Sequence, residues 1–135
     1  MRAQRMAENA QVMATYLAGD DQISNLYYPG LPSSPGHSIA SKQMKNGFGG
    51  MMAFNVGQTI EDAKTFIHHL KHIYHAVSLG ATETLICIPY LITRLYLPEE
   101  RRLTFGVQQN TVRLSAGIED SDLLVADIQQ ALEKI

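Results

Sequence analysis

Arg113 is the residue with the clearest chemical promise, in the run Val112-Arg113-Leu114-Ser115. Its neighbours predict a strand, and a guanidinium stays charged in any protein setting, so holding it in an apolar stretch requires an anion. The planar fork fits a carboxylate through two parallel hydrogen bonds. That anion is either a ligand or an internal acid, with Glu83 and Glu119 as the internal candidates. Ser78, in Val77-Ser78-Leu79-Gly80, places a hydroxyl before a glycine turn. It could meet a ligand oxygen or satisfy the local backbone. His68, His72 and His75 follow helical spacing with His69 beside them, a pattern that zinc sites use. No H-E-x-x-H glutamate accompanies them and the stripe is polar, so exposed imidazoles and no metal are expected. Gly47-Phe48-Gly49-Gly50 lacks a following Gly-Lys-Ser/Thr and reads as a tight turn rather than a phosphate cradle. Cys87 sits in an apolar run with no basic neighbour in sequence, the setting of an inert core thiol. No Ser-His-Asp motif, nucleophile elbow or paired-carboxylate signature is present.

The elements that must position these groups follow from periodicity and punctuation. Met6, Ala10, Met13 and Leu17 recur at helical steps, with Gly19 ending the helix. Ile23 to Tyr28 reads as a strand. Pro29 to Gly36 holds three prolines and two glycines, which predicts a structured loop. His37 to Lys45 makes a short helix and Met51 to Val56 a buried strand. Thr59 and Asp62 have capping-box spacing. The helix they open is expected to bury Ala63, Phe66, Ile67, Leu70, Ile73 and Tyr74. Short strands are predicted at Ala76 to Ser78, Thr84 to Ile88 and Thr111 to Ser115. A helix opens at Pro98-Glu99-Glu100, where proline's missing N–H costs nothing. Asp120 or Ser121 caps a last helix with Leu124, Ile128, Ala131, Leu132 and Ile135 inward. Helices alternating with short strands predict an α+β or α/β layer: a small sheet with helices over one face.

Composition narrows the class. The 135 residues predict a single domain. Eleven basic against thirteen acidic side chains give a net charge of −2, which argues against a nucleic-acid footprint. Hydrophobic and charged shares of 45% and 18% are those of a globular chain. No apolar run is long enough for a membrane span, and Met1 to Met13 shows no secretory signal. The lone Cys87 fits a reducing compartment, so a cytoplasmic protein is expected.

Five ordered segments then carry a resemblance. They are Tyr28-Pro29-Gly30-Leu31-Pro32-Ser33-Ser34-Pro35-Gly36-His37, Gln43 to Met51, Ala76-Val77-Ser78-Leu79-Gly80 with Glu83-Thr84-Leu85, Pro98-Glu99-Glu100-Arg101, and Val112-Arg113-Leu114-Ser115-Ala116-Gly117-Ile118-Glu119-Asp120. Together they resemble the C-terminal domain of the Cys/Met-metabolism enzymes that use pyridoxal phosphate: cystathionine synthases and lyases, methionine gamma-lyase and O-acetylhomoserine sulfhydrylase. The resemblance implies a mostly antiparallel sheet with helices over one face, as in fold-type I pyridoxal-phosphate enzymes. It implies that residues 1–135 are one small C-terminal domain whose cofactor-binding domain would precede it. It gives Arg113 the grip on a substrate α-carboxylate, places Ser78 beside that carboxylate, and puts Val77 and Thr93 near the substrate pocket. Val77 resembles the methionine-lyase pattern and suits an uncharged substrate side chain. Ile88-Pro89 stands where the family has His-Pro, and Ser34 where a histidine is common.

None of the five lysines matches the family's Schiff-base motif; Lys42 follows Ser41 without the rest of it. The resemblance therefore implies pyridoxal phosphate in a longer parent enzyme, none bound to this chain, and no catalysis by the chain alone. The implied partners are a sulfur amino acid, the missing N-terminal cofactor domain and further copies in a homo-oligomer. The alternative is a stand-alone module that binds a small carboxylate or associates with itself.

Overall fold

The computed structural model describes residues 1–93 and 98–135. Helix α1 spans Arg2–Leu17 and buries Met6, Ala7, Ala10, Met13, Ala14 and Leu17, the stripe its periodicity predicts. Strand β1, Ile23–Tyr27, lies at a sheet edge, with a register irregularity between Ser24 and Tyr27. The proline-rich turn after it is anchored at Tyr28. That fully buried phenol donates to the carbonyls of Gly49 at 3.1 Å and Ala7 at 3.3 Å. Helix α2, His37–Gln43, buries none of its residues. Strand β2 is Met51–Val56 and helix α3 is Ile60–His69. The capping box forms as the spacing predicts: Thr59 Oγ1 accepts from the Asp62 N–H, and Asp62 accepts from the N–H groups of Gln58 and Thr59. Next come β3 (Tyr74–His75), β4 (Leu85–Cys87), α4 (Pro89–Thr93), α5 (Glu99–Thr104), β5 (Thr111–Ser115) and α6 (Ser121–Leu132). Asp120, not Ser121, caps α6, accepting from the N–H groups of Asp122 and Leu123.

The strands form one sheet in the order β1-β2-β5-β4-β3. All neighbours are antiparallel except β3 and β4, so the fold is α+β with a mostly antiparallel sheet. Side chains alternate between faces along each strand. One face carries Met52, Phe54, Val56, Ile86, Val112 and Leu114, all buried with α1, α3 and α6 in a single core. The other face carries Met51, Ala53 and Asn55 from β2, Thr111, Arg113 and Ser115 from β5, and Leu85 and Cys87 from β4.

The middle of the chain departs from the helical expectation. Helix α3 ends at His69, and Leu70 is already extended with ψ of 136°. The reason is Asp127 of α6. Its buried carboxylate accepts from the N–H groups of Lys71 at 2.8 Å, His72 at 2.8 Å and Ile73 at 3.0 Å. Those donors are thereby withdrawn from a further helical turn. Ile73 is still buried, but Tyr74 is exposed on β3. The strand expected at Ala76 to Ser78 lies earlier, at Tyr74–His75, and Ser78 falls in the loop that follows. Helix α4 occupies the five residues after Ile88, where no element was expected.

Candidate functional site

Arg113 sits mid-strand on β5, between Ala53 on β2 and Cys87 on β4 in register. It is half-buried on the sheet face opposite the core. Its Nη2 donates to the carbonyl oxygens of Val77, at 2.5 Å, and Ser78, at 3.3 Å. These contacts orient the guanidinium but leave its charge uncompensated, because a carbonyl carries only a partial charge.

Neither internal acid reaches it. Glu119 is committed to Thr84, accepting from its N–H at 2.5 Å and its hydroxyl at 2.8 Å. Exposed Glu83 accepts from the Thr82 hydroxyl. Among the described residues the one ion pair is Lys64–Glu61, on the surface of α3. The internal-acid alternative is therefore overturned, and Arg113 retains donors for an external anion.

The segment after β5 is built to hold this geometry. The Gly117 N–H donates to Thr84 Oγ1 at 2.9 Å. A Cβ at position 117 would strike the Thr82 carbonyl oxygen and the Glu119 carboxylate, so only glycine permits the approach. Asn9 of α1 donates to the carbonyls of Gly117 at 3.1 Å and Glu119 at 2.8 Å. The run from Arg113 to Asp120 thus ties the central strand, the turn before β4, α1 and the α6 cap into one unit.

The other sequence candidates fall as follows. Val77 and Ser78 do lie beside Arg113, but through their carbonyls. The Ser78 hydroxyl is exposed and makes no hydrogen bond among the described residues. Thr93 ends α4, and its side chain lies outside the described residues. The histidine stripe does not exist, because α3 stops at His69 and His75 is on β3; His68, His72 and His75 are exposed. The glycine run is a bent, irregular segment between α2 and β2, with Gly47 and Gly49 at φ of 93° and 77°. Cys87 is buried, which pushes its thiol up, while the nearby Arg113 charge pulls it slightly down. It therefore stays protonated at neutral pH, as an inert thiol should. Arg113 is its basic neighbour in space, one that the sequence around Cys87 did not reveal.

Sequence reasoning passed over Arg102. Its guanidinium stacks 4.4 Å from the centroid of the Tyr90 ring, and Nε and Nη1 are buried without a hydrogen-bond partner among the described residues. It borders a cleft of about 390 Å³ lined also by Gln58, Tyr90, Glu99, Gln108 and Asn110. Neither Arg113 nor Ser78 lines that cleft. A basic residue on a six-residue helix that opens with two glutamates looks solvated in sequence, so nothing marked it.

This unit holds one half-buried arginine, unpaired with any acid among the described residues, on the sheet face opposite the core. The chain belongs to the Cys/Met metabolism PLP-dependent enzyme family, whose model matches residues 1–133. It is 42% identical over 135 residues to cystathionine gamma-lyase of Bacillus subtilis, covering 100% of this chain and 35% of that protein. The L-methionine gamma-lyase of Fusobacterium nucleatum subsp. polymorphum is also 42% identical, with 34% of its length covered. Cystathionine gamma-synthase 1 of Arabidopsis thaliana is 42% identical, with 24% covered. Among solved structures, cystathionine gamma-lyase from Lactobacillus plantarum complexed with L-serine superposes with a TM-score of 0.90 at 41% identity, over 99% of this chain and 35% of that one. The chain spans about a third of the length of most of these relatives, and about a quarter of the Arabidopsis protein.

The family is PLP-dependent. The residues described do not fit a covalently held pyridoxal ring. A lysine that forms such a bond needs a desolvated site that lowers its pKa. All five lysines are exposed, and Lys64 is paired with Glu61.

Proposed function

We propose that this chain is the substrate-carboxylate-binding, C-terminal domain of a sulfur amino-acid enzyme of the transsulfuration type. Its cofactor-binding domain and Schiff-base lysine would lie in a preceding segment, and pyridoxal phosphate would be held there. The observation that carries the reading is the state of Arg113: half-buried, oriented by two carbonyls, and unpaired with any acid among the described residues. A fixed guanidinium would clamp the α-carboxylate and set the orientation of the amino acid's reacting carbon. Ser78 would stand at the edge of that clamp with its exposed hydroxyl. Val77 would present an apolar surface to an uncharged substrate side chain. The solved relative is complexed with L-serine, an α-amino acid, which is the ligand class this clamp would suit. A reducing compartment such as the cytoplasm would suit the free, buried Cys87.

The test uses the 135-residue chain and two probes. L-Methionine is expected to shift the Arg113 side-chain resonance in a saturable way, and methioninamide, which lacks the carboxylate, is expected not to. Arg113→Ala should abolish saturable L-methionine binding measured by calorimetry. Mixing the chain with pyridoxal phosphate should give no cofactor absorbance that survives dialysis and no turnover of methionine or cystathionine. A response to methioninamide equal to that for L-methionine overturns the carboxylate reading. Turnover by the chain alone overturns its inactivity.

A second reading keeps the chain as a stand-alone module that self-associates. The exposed apolar side chains Val77, Leu79 and Phe105 favour it.

A further inference from the structure

Ser115 lies two residues beyond Arg113 on β5, so both side chains leave the sheet on the face opposite the core. Its register partners are Met51 on β2 and Leu85 on β4, and it is 3% exposed. A hydroxyl enclosed between two apolar side chains is unfavourable unless it is hydrogen-bonded. The bond it makes is with the loop after β3: the Gly80 N–H donates to Ser115 Oγ at 2.9 Å. Two and three residues earlier, that loop gives Arg113 the carbonyls of Ser78 and Val77. Strand β5 therefore grips one short loop twice, taking two acceptors with Arg113 and one donor with Ser115. The side chains of Val77, Ser78 and Leu79 are exposed and do not anchor the loop themselves. A loop that lifts from Ser115 also withdraws the carbonyls that orient Arg113.

We infer that Ser115 is a positioning residue: its hydroxyl seats the Val77–Gly80 loop and thereby aims the Arg113 guanidinium, while Ser115 itself touches no ligand. The ligand arm of this inference rests on the carboxylate reading of Arg113; the loop arm does not.

The experiment is amide hydrogen exchange and side-chain NMR on the 135-residue chain, first without ligand and then with L-methionine. In the wild type, Gly80 should exchange more slowly than Leu79. In Ser115→Ala, Gly80 exchange should accelerate about tenfold, the scale of one lost hydrogen bond. The Arg113 Nε–H resonance should move without ligand, and half-saturation by L-methionine should need several-fold more. Ser115→Thr, which keeps the hydroxyl, should restore all three. A merely structural role would instead lower the melting temperature and leave the Arg113 resonance in place.

Equal Gly80 exchange and an unmoved Arg113 resonance in Ser115→Ala overturn the inference. Gly80 exchanging as fast as Leu79 in the wild type overturns it as well, and that comparison stands even where Ser115→Ala does not fold. If the wild type fails to respond to L-methionine while the ligand-free differences hold, the carboxylate reading falls and the loop-seating role survives.

Discussion

At the scale of single residues, charge shape matters as much as charge. In the proposed role, Arg113 would keep Nη2 on two carbonyls while its remaining N–H groups meet a carboxylate. A lysine ammonium has the charge but not the fork. Arg113→Lys is therefore expected to weaken L-methionine binding by about 10- to 100-fold, the range for one charge-assisted hydrogen bond. Titration of the chain checks this, and unchanged affinity would mean that only the charge matters.

Tyr28 gives a pH-dependent prediction. Burial pushes its phenol from 10.0 up to about 12, and its hydroxyl is a donor to two carbonyls. Between those values the unfolded chain sheds the proton while the folded chain keeps it. Stability must then fall as pH rises above 10, by about 2–3 kcal/mol at the far end of the window. Tyr28→Phe should lose about 1 kcal/mol near neutral pH and show a shallower alkaline decline, read from urea melts at several pH values. Tyr16 is also raised and slopes the same way in both proteins, so the difference between them isolates Tyr28.

Among elements, what the sequence reveals divides by the range of the interaction. The α1 stripe, the Thr59–Asp62 box and the α6 cap are legible because each is decided within a few neighbouring residues. The end of α3 is not, because the carboxylate that ends it, Asp127, lies more than fifty residues away in the chain. Arg113 was legible as a charge in an apolar strand. That no acid neutralises it was hidden, since the engagement of Glu119 by Thr84 exists only in three dimensions. That Ser78 contributes its carbonyl was hidden too, because a sequence displays side chains and not backbone direction.

The same reasoning makes Asp127 a hinge of the architecture. Its carboxylate also accepts from the Gln130 side-chain amide at 3.1 Å. Asp127→Asn replaces one acceptor oxygen with a donor facing donors. It is expected to cost about 2–4 kcal/mol and to speed amide exchange at His72 and Ile73 before any global change. Uniform acceleration across the chain would show instead that the clamp is no local unit.

At the scale of the whole molecule, the sheet is unevenly covered. Helices α1, α3 and α6 close one face over a single core. On the other side Arg113 is only half-buried, and the loop beside it exposes Val77 at 60% and Leu79 at 56%. Leucine and valine side chains exposed side by side are a standing drive towards association. Most of the relatives are about three times as long as this chain, which leaves ample polypeptide to cover such a surface in a full-length enzyme. Without that polypeptide, the surface should meet its own copy. Light scattering of the purified chain is then expected to give an average mass rising above 15.0 kDa with concentration. Added sulfate should strengthen the association, because apolar burial gains from excluded salts while ion pairs are screened by them. Leu79→Glu should return the chain to monomer and leave the α1–α3–α6 core intact by melting. A wild-type monomer at millimolar concentration would mean that this surface is tolerated by water, and that the other two-thirds of such an enzyme is held to it through polar contacts instead.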